Sequence, residues 1–358
     1  MKAPFPWFGG KRKVADQVWS ALGDCDQYVE PFAGSLAVLL DRPAWHTNAT
    51  ETVNDADQYI ANFWRALAHD PESVAHHADW PVNECDLFSR HLWLVNEGKR
   101  QMQAGMEADP DWYDAKIAGW WCWGVCAWIG SGWCSGTGPH TYESIRSLAV
   151  DDQNGNAGRG VNRQLPHLGN AGRGVNRQLP HLGNAGQGVN RKLPHLGDGN
   201  INNATWRNQE ALYAYMHALA ARLRNVRVCC GDWSRIVTRG ALNYGDTVGI
   251  FLDPPYSDRA ERTSNLYTVD SLDVAHEVRE WCIANGDNPR YRIVLAGYAD
   301  EHRDEMPSTW RKVGYSANKA YGSSQSKNGL NDLNRHKEML WFSPNCLNAQ
   351  PTLFEVNS

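Results

Sequence analysis

Val248-Gly249-Ile250-Phe251-Leu252-Asp253-Pro254-Pro255-Tyr256 is the stretch on which the fold turns. Five apolar residues bounded by turn formers read as a buried strand. Its carboxyl end carries an acid, two rigid prolines and an aromatic. In open α/β sheets that end is where ligands sit. Asp253 can accept a hydrogen bond from an amine. Pro254 donates no N–H, but its carbonyl is a fixed acceptor. Pro255 stiffens the turn, and Tyr256 offers a flat face on which a base can stack. Two acceptors and a stacking face suit the exocyclic amino group of a nucleobase. Four residues read equally well as an acidic strand end followed by a Pro-Pro turn, so the decision lies with the rest of the chain.

Outward from that strand the pattern alternates between strands and helices. Val226 to Cys229 reads as a strand ending in Cys230-Gly231-Asp232-Trp233. An apolar-striped helix over 206–224 precedes it, and a helix over about 271–285 and a strand over 291–296 follow the Asp-Pro-Pro-Tyr turn. Two further strands, 310–315 and 338–342, enclose a basic, Gly/Ser/Asn-rich stretch at 318–337. They suggest a terminal hairpin on a mostly parallel sheet. Near the start, Trp7-Phe8-Gly9-Gly10-Lys11 opens a helix marked by Val14, Val18 and Leu22. The helix start and the Lys11 ammonium favour a carboxylate or phosphate. Gln27 to Glu30 is a short strand, Pro31-Phe32-Ala33-Gly34-Ser35 its turn, and Leu36 to Leu40 the next helix. This is a dinucleotide-style βα unit without G-x-G-x-x-G, which suits a smaller adenosine compound. Glu51 to Asn54 is the second strand, and Asp55 at its end is placed to hydrogen-bond a ribose. A helix over Asp57 to Leu67 completes the unit.

From about Pro71 to Trp206 the alternation stops. Helical periodicity marks 86–97 and 111–129. Trp112, Trp120, Trp121, Trp123, Trp128 and Trp133 cluster there, as the core of a helical subdomain or as stacking platforms for DNA. Cys122, Cys126 and Cys134 lack paired zinc spacing and read as structural thiols. Residues 156–169, NAGRGVNRQLPHLG, recur unchanged at 170–183 and as NAGQGVNRKLPHLG at 184–197. Three glycines and a proline per unit argue against an independent core, so the array reads as a Gly-rich loop insertion whose cations suit a DNA backbone.

With 358 residues, 42% hydrophobic and 21% charged, the chain has the makeup of a soluble globular protein with one large core or a core plus a smaller domain. No apolar stretch is long enough to span a membrane, and Met1-Lys2-Ala3-Pro4-Phe5-Pro6 has no signal-peptide core, which implies a cytoplasmic protein. Nine irregularly spaced cysteines fit a reducing compartment. A net charge of −5 gives no global sign of nucleic-acid binding, but basic residues gather at 154–197 and 311–337.

Trp7-Phe-Gly-Gly-Lys11, Tyr28-Val-Glu-Pro-Phe-Ala-Gly-Ser35, Asn54-Asp55, Gly231-Asp232-Trp233 and Asp253-Pro-Pro-Tyr256, in that order, resemble the Dam-type, or D12 class, DNA adenine-N6 methyltransferases. These use S-adenosylmethionine (SAM), and the order of motifs is similar to that of the family's α group. The resemblance covers about 1–67 and 206–345. It implies an α/β, Rossmann-like SAM methyltransferase fold with a mostly parallel sheet, a terminal β-hairpin and a helical inserted recognition domain. The catalytic domain is then 1–69 with 206–358, and the recognition region 70–205, including the repeat at 156–197. It also implies roles. Trp7, Gly10 and Lys11 resemble N-terminal cofactor contacts. Glu30, Phe32, Ala33, Gly34 and Ser35 resemble the loop under the methionine moiety. Asp55 resembles the ribose acid, and Asp232 and Trp233 the pair beside the SAM adenine. Asp253, Pro254, Pro255 and Tyr256 resemble the catalytic motif, with Asp253 also near the methionine end. Two departures stand out: Leu36 replaces the second glycine of F-x-G-x-G, and Leu295-Ala296-Gly297-Tyr298 replaces a Ser-Asn strand ending. At Leu36 the residue either blocks a close backbone approach or merely starts the helix. The implied partner is double-stranded DNA, with no membrane and no metal, and a monomer or weak dimer is expected. Cytosine-N4 methylation, an RNA substrate and a catalytically silent DNA-binding relative are the alternatives.

Overall fold

The computed structural model describes residues 1–7, 9–43, 49–128, 133–134, 209–255, 274–302, 305–315 and 338–347. Tyr256, the repeat at 156–197 and the basic stretch at 318–337 lie outside these residues. The described strands are β1 (Gln27–Glu30), β2 (Thr50–Asp55), β3 (Val226–Cys230), β4 (Val248–Leu252), β5 (Tyr291–Tyr298), β6 (Arg311–Gly314) and β7 (Glu338–Phe342). They form one sheet in the order β3-β2-β1-β4-β5-β7-β6. All neighbours from β3 to β5 pair in parallel, and β7 runs antiparallel to both β5 and β6. The expected mostly parallel α/β sheet is present. The terminal hairpin forms too, with its second arm slotted between β5 and the first arm.

β1 and β4 are buried along their whole length and lie side by side at the centre. Strand order reverses between them. Loops leaving their carboxyl ends therefore diverge and open a crevice, the usual ligand position of such sheets. Side chains alternate between the two faces at period two. Tyr28, Val53, Phe251, Val294, Leu340 and Phe342 enter one apolar cluster. Val29, Ile250, Leu252, Ile293, Leu295 and Trp341 enter another on the opposite face.

The helices are α1 (Ala15–Leu22), entered through a 3-10 turn at Lys11–Val14, α2 (Ala37–Leu40), α3 (Gln58–His69), α4 (Pro71–Ala78), α5 (Glu84–Trp93), α6 (Lys99–Ala108), α7 (Ala115–Ala127), α8 (Gln209–Leu223), α9 (Val274–Asn285) and α10 (Ala299–His302). Short polar side chains start several of them, because the first N–H groups of a helix have no partner within it. Asp57 caps α3, Asp70 caps α4, Asn83 caps α5 and Asp114 caps α7. Helix α4 carries no sequence expectation above, although Asp70-Pro71 is a cap followed by proline at the first helical position. A π-helical turn at Leu94–Gly98 joins α5 to α6.

The tryptophan cluster belongs to the core. Trp121 and Trp123 are buried, and Trp112, Trp120 and Trp128 pack against the same cluster as Phe63 and Trp64 of α3. Arg90 lies among the rings of Trp80, Trp120 and Trp123, 5.0, 5.0 and 4.5 Å from their centroids. Cys122 and Cys126 are buried one turn apart on α7, and the Cys126 thiol donates to the Pro4 carbonyl at 3.6 Å.

Two features fix the fold around the site. Glu51 at the start of β2 receives Arg42 at 2.6 Å and Arg222 of α8 at 2.7 Å, so one carboxylate joins segments that precede and follow the long central region. Leu36 caps α2 in the left-handed conformation, with φ 53°, and its side chain is fully buried. It therefore starts the helix, and its bulk points into the core. The glycine geometry survives there at a cost of about 1–2 kcal/mol, which burial of the leucyl group offsets.

Both features have measurable consequences. Glu51→Ala leaves two arginines facing each other without a counter-charge, and urea denaturation at neutral pH should show a loss of about 3 kcal/mol. Leu36→Gly relieves the backbone but empties a packed volume, so the same measurement should show a net loss of about 2 kcal/mol. A gain in stability would contradict the core role of Leu36.

Candidate active site

The carboxyl edge of the sheet collects most of the side chains expected to be functional. Lys11, in the first turn after Gly9-Gly10, is only 5% exposed, and its Nζ lies 2.9 Å from Asp253 Oδ1 at the end of β4. The same ammonium donates to the Gly9 carbonyl at 2.8 Å. Burial alone would pull the Lys11 pKa down, but Asp253, Tyr315 and Glu338 outweigh it and hold it above the ordinary lysine value. Asp253 is 20% exposed, and its pKa is raised because burial exceeds the counter-pull of Lys11. Pro254 is buried and Pro255 half-buried.

Glu30, the last residue of β1, is buried beside this pair. The Tyr28 hydroxyl donates to its Oε2 at 2.9 Å. Burial pushes the Glu30 carboxyl up to about 8 despite that bond, and the charge of Asp253 adds to the rise.

The turn after β1 is held by the next two strands. Ala33 N–H donates to the Asn54 carbonyl at 2.8 Å, and Gly34 N–H donates to Asp55 Oδ2 at 2.9 Å. Asp55 Oδ1 accepts from Asp57 N–H at 2.9 Å. Burial and the neighbouring Asp57 push Asp55 up to about 7, against these amide bonds. The Asn54 side-chain amide donates to the carbonyls of Pro31 at 3.1 Å and Gly231 at 2.9 Å. One buried asparagine thus ties together the loops that leave β1 and β3.

Trp7 fixes the same turn from above. Gly34 has φ 44°, and a Cβ there would lie 2.7 Å from Trp7 Nε1. Glycine is therefore required both by the backbone and by the ring. Trp7 itself contacts Trp121 of α7 at 6.3 Å and Phe5 at 6.0 Å. A Cβ on Gly10 would lie 3.6 Å from Ser35 Oγ, so these two turns face each other. Phe32 stacks on the buried Trp233 at 6.1 Å and 29°, forming an aromatic wall. Asp232 is exposed, and its carboxylate caps the 3-10 turn Trp233–Ile236 by accepting from Ser234 N–H at 2.9 Å.

Trp7, Gly10, Lys11, Glu30, Ala33, Gly34, Ser35, Asp55 and Asp253 are thus brought to one edge, with Phe32, Asp232 and Trp233 alongside. Sequence reasoning treats Asn54 and Tyr28 only as parts of motifs and omits Tyr315 and Glu338. The asparagine has a readable signal, an amide beside an acid at a strand end. The other three are recognisable only once the strands are paired. Arranged in this way, the edge offers carboxylate acceptors, one buried cation and a stacked aromatic wall.

Among the described residues no helix is long and apolar enough to cross a membrane, and no cluster of His, Cys, Asp or Glu has a metal-binding arrangement. No curated protein matches the chain. Residues 7–89, which include Trp7, Lys11, the Glu30–Ser35 turn and Asp55, match the model of the family described as D12 class N6 adenine-specific DNA methyltransferase. Over those residues the chain is similar to the D12 class N6 adenine-specific DNA methyltransferases.

Proposed function

We propose that this protein methylates the exocyclic N6 of adenine in duplex DNA, with S-adenosylmethionine as methyl donor and Asp253 as the residue that activates the nitrogen. The observation that carries the mechanism is the Lys11–Asp253 pair at 2.9 Å at the switch point between β1 and β4. The pair engages Asp253 Oδ1, and among the described residues Oδ2 has no hydrogen-bond partner.

The residues fit such a donor. Gly34 has no side chain and the Trp7 ring takes that volume, which holds the turn that resembles the methionine loop in one conformation. Asp55 and Asp232 are hydrogen-bond acceptors at the ends of β2 and β3. The Phe32–Trp233 stack provides an apolar wall for a purine. When bound, S-adenosylmethionine supplies a methyl group on a positively charged sulfur.

The amino nitrogen of adenine is a weak nucleophile because its lone pair is delocalised into the ring. Asp253 Oδ2 and the Pro254 carbonyl accept its two hydrogen atoms and draw the lone pair onto nitrogen, aligned for in-line attack. Asp253 Oδ2 then accepts the proton that the nitrogen loses once the new N–C bond has formed. The elevated pKa of Asp253 improves it as that acceptor. Lys11 fixes the carboxylate without occupying its second oxygen. The target base must leave the duplex, since its amine is inaccessible within the stack. Tyr256 is assigned the stacking role by family resemblance, and 70–205 the recognition role. No metal is needed for this chemistry.

Asp253→Ala should lower methyl incorporation into duplex DNA by at least about 100-fold, with the fold retained by circular dichroism. Nucleoside digestion of DNA treated with the wild-type protein should yield N6-methyladenine. Near-normal transfer by the variant, or N4-methylcytosine as the product, would refute the assignment.

A second expectation concerns pH. The folded chain holds the Glu30 proton up to about pH 8, whereas the unfolded chain releases it near 4.5. Unfolding therefore sheds a proton between those values, and this contribution to stability falls as pH rises. The melting temperature of the ligand-free protein should respond less to pH between 5 and 8 (about the window set by Glu30) in Glu30→Gln than in wild type. Identical profiles would show that Glu30 does not hold this proton.

A further inference from the structure

Glu338 has no part in the mechanism above, yet it lies at the same edge. It opens β7 opposite Tyr298, the last residue of β5, and is 7% exposed. Tyr315 N–H donates to its carbonyl at 3.0 Å, which fixes its backbone. Leu340 and Phe342, its period-two neighbours, enter the same cluster as Tyr28 and Phe251. Glu338 therefore projects onto the same sheet face as Glu30, and as Asp253 if the alternation of β4 is continued.

Among the described residues the Glu338 carboxylate makes no hydrogen bond or ion pair. A buried carboxylate is costly unless a positive charge is near. That charge is Lys11, whose ammonium Glu338 stabilises, while Glu338 also disfavours the ionised form of Asp253. One ammonium thus serves two carboxylates. Glu30, held protonated up to about pH 8, adds little negative charge at neutrality. Among the described residues this end of the crevice carries one negative charge in excess.

We propose that Glu338 is a positioning residue for methyl transfer: a second buried carboxylate that shares Lys11 with Asp253 and leaves the crevice net negative, so that it favours a positively charged methyl donor over the neutral thioether product. The inference rests on the proposed methyl-transfer reading. The nitrogen held by Asp253 must face the methyl group, so the donor sulfur belongs at this end. Its charge disappears when the methyl group leaves, and the attraction from Glu338 disappears with it.

The test is calorimetric titration of wild-type protein and Glu338→Gln with S-adenosylmethionine and with S-adenosylhomocysteine, without DNA. The variant should bind the charged donor about three- to tenfold more weakly while its affinity for the thioether changes less than about twofold. Equal weakening of both ligands, or no change in their ratio, would overturn the inference. Glu338→Asp, which keeps the charge, should retain the wild-type ratio, and Glu338→Ala, read in the same way, decides the matter if the glutamine variant fails to fold. Failure of the wild-type protein to bind either ligand would instead remove the methyl-transfer reading.

Discussion

A lysine ammonium stays charged in a protein interior only where carboxylates surround it. Lys11 meets that condition at the end of β4, and the rest of the edge follows from it. To reach Asp253, the first residues of the chain must lie across the carboxyl ends of β1 and β4. That path sets Trp7 against Gly34, and Gly34 in turn donates to Asp55. Gly231 N–H closes the series on the Asp55 carbonyl at 3.1 Å. An ion pair between distant parts of the chain thus organises a turn, a strand end and the loop after β3.

The same edge shows how one sheet face acquires chemical character. Period-two alternation sends Tyr28, Val53, Phe251 and Leu340 into one apolar cluster. Beyond those apolar residues the same face continues into Glu30, Asp55 and Asp253, with Glu338 preceding Leu340. The acids are therefore extensions of core-facing rows past the limit of hydrocarbon packing. Their burial raises the pKa of Glu30, Asp55 and Asp253. The helical layer contributes through Trp121, which touches Trp7 and so reaches the turn that holds Gly34.

Much of this was legible in the sequence, and the reasons differ by element. β1 and β4 coincide with the expected runs because apolar residues between turn formers leave few choices of boundary. Helix α4 was missed because its eight residues are too few for a clear period, although its capping dipeptide was visible. Leu36 could not be interpreted from residue type alone, since a leucine in the left-handed region is recognisable only from its dihedral angles. Asn54 was quoted without a role because its acceptors, Pro31 and Gly231, lie in two other loops. Glu338 was hidden by a basic neighbourhood in sequence and by a strand that joins the sheet out of order.

The reversed direction of β7 has a topological consequence. β6 runs parallel to β5, so Gly314 ends at the same edge as Tyr298, and antiparallel β7 begins there with Glu338. Both moorings of the intervening segment, which contains Lys319, Lys327, Arg335 and Lys337, stand on the rim of the crevice. The chain therefore leaves the sheet and rejoins it at the edge that carries Asp253, and neither anchor lies at the opposite end.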